Sequence, residues 1–172
     1  CLSIVDICFY SLVKIFNSLS NALEWKPDGI IIATPTNTHL KIASKIASLG
    51  AKILIEKPIS CDLLEAKNFV NSNENIENQI FIVCNMRFHP AIQKIKDNIS
   101  EIGKIFFARA HVGNYLPNMR PGVDYKNLYV ADPKQGGTVL DAIHEIDYLT
   151  WLLGSVKSQV SISSKLSNLD IA

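Results

Sequence analysis

GIIIATPTNTHLKIASKIASLGAKILIEKP, residues 29–58, decides the fold. Its opening run of branched apolar residues, closed by Pro35, is too short for a helix and reads as a strand buried on both faces. Thr38 is placed to cap a helix in which Leu40, Ala43, Ile46 and Ala47 share one side, and Gly50 supplies a left-handed stop. AKILIEKP then predicts a second strand ending at Pro58. Strand, helix and strand in this order imply a parallel pair joined by a crossover.

The same alternation continues downstream. Ser60 is expected to cap a helix through Val70, with Asp62 in its first turn, and the polar NSNENIEN (71–78) forms the exit loop. QIFIVCNMRF (79–88) reads as a third buried strand, and Pro90 suits the first turn of a helix that ends near Ser100. Three such units predict an α/β fold with a doubly wound parallel sheet. After Gly103 the texture changes. KIFFARAHVGNYL (104–116) has strand character, residues 117–137 form a long loop, 138–154 make one helix closed by Gly154, and SQVSISSKL (158–166) is a final strand. The expected division is therefore 1–90 for the parallel-sheet domain and 91–172 for an α+β domain.

The chain is 48% hydrophobic and 19% charged, as expected of a soluble globular protein with a core. Lys and Arg (17) balance Asp and Glu (16) without a basic run, so neither nucleic acid nor an anionic membrane is an expected partner. A small molecule is. Cys1, Cys8, Cys61 and Cys84 are scattered, with no ligand spacing for a metal, and read as reduced thiols of a cytoplasmic protein. The apolar opening, CLSIVDICFYSLVKIF, has no basic leader and is broken by Asp6 and Lys14, so it reads as neither signal peptide nor membrane span. Because it begins with Cys rather than Met, a start further upstream is expected.

Four constellations carry chemistry. ATPTNTH (33–39) is a polar turn between a strand's carboxyl end and a helix, where open α/β sheets bind ligands; it could equally be a plain turn and cap. IEKPIS (55–60) puts Glu56 and Lys57 at the next strand end, where a partly desolvated lysine can polarise a hydroxyl or move its proton, or can be an ordinary exposed charge. Asp141, His144 and Asp147 fall three apart on one helical face; a neutral imidazole there could take a hydroxyl proton while a carboxylate orients it, or the group could be a satisfied helix start. Arg87 of NMRFHP (85–90), with Tyr115, Arg120 and Tyr125 of the long loop, could grip an anionic guest or stay solvated; Tyr129 adds to that loop's aromatic content.

Taken in order, ATPTNTH, EKP, the NMRFHP strand end and GG-x3-D-x2-HEIDYLTWLLG resemble the Gfo/Idh/MocA oxidoreductases, from about Trp25 onward. The resemblance implies a Rossmann-type domain, incomplete at its N-terminus, followed by an α+β domain with an open, largely antiparallel sheet, incomplete at its C-terminus. It implies NAD or NADP as cofactor, with Thr34, Pro35, Asn37, His39, Glu56, Lys57, Pro58 and Asn85 beside it. Lys57 would be the catalytic lysine and His144 the active-site histidine, with Asp141 the preceding acid and Lys57-Pro58 a candidate cis peptide. Arg87, Tyr115, Arg120, Tyr125 and His144 would hold a sugar-type substrate. The function implied is hydride transfer between a nicotinamide cofactor and a hydroxyl or keto carbon of a sugar derivative, by a homo-oligomer assembled through its C-terminal sheet. No G-x-G-x-x-G precedes residue 25, so the glycine-rich pyrophosphate turn is missing from this sequence. The rival readings are a sugar- or nucleotide-binding protein of the same fold without catalysis, and an inactive fragment.

Overall fold

The computed structural model describes residues 13–73, 78–132, 135, 137–164 and 167–169. A short helix, α1 (Leu19–Leu23), capped by the Ser18 hydroxyl, precedes the first strand and was not expected from the sequence. The strands β1 (Gly29–Ile32), β2 (Lys52–Ile55) and β3 (Ile80–Ile82) pair in parallel in the order β1-β2-β3. Between them run α2 (His39–Ile46) and α3 (Leu63–Asn71). Gly50 sits at φ 75°, the left-handed stop its position called for. The cap of α3 differs from expectation. Asp62, not Ser60, accepts the free amides of Leu64 and Glu65, while the Ser60 hydroxyl takes the Asp62 amide and donates to Glu65.

Ile32, Ile53 and Ile55 meet Leu40, Ala43 and Ile46 of α2 and Phe69 of α3 in the core. Full burial of a side chain such as Ile53 is worth about 2 kcal/mol. The opposite face departs from the expectation of strands buried on both sides. There Ile31, Leu54 and Phe81, aligned by register, are 70%, 36% and 46% exposed. The reason is handedness: successive right-handed crossovers running one way along a sheet place their helices on the same side.

After β3, α4 (Pro90–Asn98) begins with Pro90 at its first turn and the His89 ring as cap. The short α5 (Leu116–Met119) follows, then α6 (Gly137–Asp141) and α7 (His144–Leu153). Three expectations change here. The single helix over 138–154 is two helices, so Asp141 ends one and His144 starts the next instead of sharing a face. The segments 104–116 and 158–166 form no strand among the described residues, and no strand follows Ile82 among them. The expected antiparallel sheet is therefore not seen. Strand identity depends on ladder partners, and these segments have none within the described chain; Phe106 and Val160 stand 85% and 94% exposed. Residues 165–166 of that expected strand, Cys1, Cys8 and the centre of the 71–78 loop lie outside the described residues. Cys61 and Cys84 are free thiols. Among the described residues no helix is long and apolar enough to cross a membrane, and no His, Cys, Asp and Glu group could hold a metal ion.

Candidate active site

Both strand ends expected to carry chemistry open into one cleft of about 570 Å³. Its wall comprises Ala33, Thr34, Pro35, Thr36, Thr38, His39, Ile42, Glu56, Lys57, Arg120 and Tyr129. The 34–38 turn is braced internally. The Thr38 hydroxyl donates to the Pro35 carbonyl at 2.7 Å and therefore accepts from the Thr34 hydroxyl at 2.7 Å, since one hydroxyl has one proton.

His39 is 1% exposed, buried at the start of α2. Its Nδ1 lies 3.0 Å from the Pro58 carbonyl oxygen and its Nε2 2.8 Å from that of Thr34. The imidazole thus bridges the ends of β1 and β2, and neither ring nitrogen is free for a ligand. The Lys57-Pro58 peptide is cis, as the motif implied. Pro58 itself is buried behind the cleft.

Lys57 leaves the end of β2 and crosses to the second half of the chain. Its Nζ donates to the Asp141 carbonyl at 2.6 Å and lies 3.5 Å from Asp141 Oδ1, with both side chains about four-fifths buried. To the same carboxylate oxygen, Oδ1, the Tyr129 hydroxyl donates at 2.6 Å. Burial foremost, then the Asp141 carboxylate, pushes the Tyr129 phenol up to about 12, so it remains a neutral donor at physiological pH. Tyr129 is the residue that sequence reasoning left without a role. Only its membership of an aromatic loop pointed to it, because nothing local records a partner twelve positions away.

His144 is half-buried in the first turn of α7, three positions beyond the residue that holds Lys57. The helix that carries it is fastened to the parallel-sheet half. Arg87 Nε and Nη2 donate to Asp147 Oδ2 and Oδ1 at 2.9 and 2.5 Å. The Trp151 ring has the cations of both Arg87 (5.8 Å) and Lys96 (4.7 Å) over it, and Lys96 also donates to the Trp151 carbonyl. Arg87, expected to grip substrate, therefore spends its fork on Asp147. The hydrogen bonds from Arg87 hold the Asp147 carboxyl below the usual carboxylate range.

The structure thus gathers Thr34, Pro35, His39, Glu56, Lys57 and Arg120 at the cleft and joins Asp141 to it through Lys57. Asn37 and Asn85 are exposed in short turns, Tyr115 is 58% exposed, and Tyr125 and His144 are half-buried; none of these five lines the cleft.

Comparison with known proteins extends this picture. Residues 7–83 match a family model described as an oxidoreductase family with an NAD-binding Rossmann fold, and residues 96–170 match the C-terminal alpha/beta domain of the same family. The rhizopine catabolism protein MocA of Rhizobium meliloti is 26% identical over 156 residues, covering 88% of this chain and 46% of that protein. The scyllo-inositol 2-dehydrogenase (NAD(+)) of Bacillus subtilis is 30% identical over 148 residues, covering 82% and 40%. An NAD-binding protein of solved structure from Listeria innocua superposes with a TM-score of 0.67 at 25% identity, over 85% of this chain and 41% of that one. The chain spans about half the length, or less, of the relatives it matches.

Proposed function

The chain belongs to the Gfo/Idh/MocA oxidoreductase family, with an NAD-binding Rossmann domain followed by a C-terminal α/β domain, and from this premise we propose that the protein moves a hydride between a nicotinamide cofactor, NAD or NADP, and a secondary alcohol or ketone carbon of a polyol or sugar derivative. The observation that carries the proposal is the contact that ties Asp141, 84 positions away in the chain, to Lys57 in the cleft at the carboxyl ends of the parallel strands.

The cleft fits the nicotinamide half of a dinucleotide. It is open at the strand ends, walled by the polar 34–38 turn on one side and by Glu56 and Lys57 on the other, and large enough for a ring and its ribose. Thr34, Pro35, His39, Glu56 and Lys57 form the wall for that group, with Asn37 and Pro58 on the same two strand-end turns and Asn85 on the turn that follows β3. When bound, the cofactor supplies the hydride acceptor or donor.

The chain's own residues handle the proton. An ammonium has three donors; the Asp141 carbonyl takes one from Lys57 and the carboxylate draws a second. The third is left for the substrate oxygen. Lys57 orients and polarises that hydroxyl, and His144 accepts the proton as the carbon yields its hydride, Asp141 holding the lysine in place. Arg120 lines the same cleft and is the group best placed to meet an anionic substituent, with Tyr125, Tyr115 and Arg87 at greater remove. The similarity to an inositol dehydrogenase favours a polyol or sugar as guest.

The test is the complete gene product assayed with inositols and sugar acids for a change in NADH or NADPH absorbance. Turnover is expected, and Lys57→Ala should lower kcat by about a thousandfold, the scale of lost acid–base catalysis. Full activity in that variant rejects the role of Lys57; sugar binding without turnover rejects the reaction.

A further inference from the structure

We propose that Tyr129 is a positioning residue of this site, clamping the Asp141 carboxylate so that Asp141 in turn fixes the Lys57 ammonium. The inference rests on the reading of Lys57 above and deepens it.

Three observations carry it. Among the described residues Asp141 Oδ1 meets the Tyr129 hydroxyl at 2.6 Å and the Lys57 ammonium at 3.5 Å, so the tyrosine restricts the oxygen that neutralises the lysine. Asp141 is the last residue of α6 and is followed by the break before α7, a place where a side chain lacks the support of a continuing helix. Tyr129 opens a short turn, Tyr129–Ala131, which packs against α6 and is anchored by Val130, 5% exposed. The hydroxyl is thereby delivered from outside the helix to the one carboxylate that needs holding. With its phenol proton retained to high pH, Tyr129 acts only as a donor and takes no part in proton transfer.

The charged groups around the pair are Lys57 on β2's end, Glu56 beside it and Arg120 across the cleft. A donor removed from Oδ1 leaves the carboxylate free to turn toward Arg120 and the lysine less fixed. Lys57 keeps its bond to the Asp141 backbone, so substrate and cofactor binding should survive while the chemical step slows.

The experiment is a double-mutant cycle of Tyr129→Phe and Asp141→Asn in the complete gene product, after wild type and Lys57→Ala have been assayed. Tyr129→Phe should lower kcat by about tenfold, the scale of one hydrogen bond to a charged group, with KM for the polyol and Kd for the dinucleotide changed by less than about twofold. In the Asp141→Asn background the same substitution should have almost no further effect on kcat. Additive losses, or a raised KM at unchanged kcat, overturn the clamp and make Tyr129 a direct substrate contact; an unchanged kcat removes it altogether. Absent turnover in wild type defeats the reading of the reaction instead, and the same four proteins then decide the clamp by thermal unfolding, where non-additive shifts in Tm support it and additive shifts overturn it.

Discussion

Single residues in this chain divide between those that face the cleft and those that hold it. His39 spends both ring nitrogens on the carbonyls of Thr34 and Pro58, and Arg87 spends its fork on Asp147, so two residues that sequence motifs assign to ligands act on the protein itself. The Arg87 pairing has a pH signature. Because the carboxyl of Asp147 is held below its ordinary value of 3.8, the pair stabilises the fold above that value, and the contribution is lost as pH falls through the lower folded-state value. Thermal unfolding followed downward from neutral pH should therefore show a larger loss below about pH 4 in the parent than in Asp147→Asn. Parallel curves would show that the pair contributes nothing.

At the scale of elements, helix ends decide where chemistry can sit. The motif GG-x3-D-x2-HEIDYL reads as one helix, yet the backbone turns at Ala142 and Ile143, and this break sends Asp141 toward Lys57 while α7 carries His144 and docks through Asp147 and Trp151. The start of α3 shows the same dependence on geometry: both Ser60 and Asp62 have the chemistry of a cap, and the exit from the Pro58 turn selects Asp62, which accepts two amides at 2.7 and 3.1 Å. Asp62→Ala should cost about 1 kcal/mol of unfolding free energy, and Ser60→Ala less, measured by denaturant titration. Equal costs would return the cap to Ser60.

For the whole molecule, the two faces of the sheet make different demands. Ile53 is fully buried under α2, whereas Ile31, one strand away, is 70% exposed. In the 172-residue chain, Ile53→Ala should cost about 3 kcal/mol and Ile31→Ala under about 0.5 kcal/mol, read from the midpoints of urea unfolding. Comparable costs would mean that the face bearing Ile31, Leu54 and Phe81 is covered.

What could be read from the amino acids alone was much of what near neighbours govern, though not α1, the choice of Asp62 over Ser60 as a cap, or the break at Ala142 and Ile143. Runs of branched residues, helical spacing, Gly50 and Pro90 named the three strands and the helices α2, α3 and α4, and the motif order named the family and the strand ends that hold Glu56 and Lys57. Tertiary structure alone decided which apolar face is covered, that residues 104–116 and 158–164 lack ladder partners among the described residues, and that Lys57 meets Asp141, itself held by Tyr129, instead of standing free. The physical reason is range. Dihedral preference and side-chain period act over a few residues, while a ladder, a buried imidazole bridge or a shared carboxylate oxygen depends on groups that only folding brings within 3 Å or so of one another.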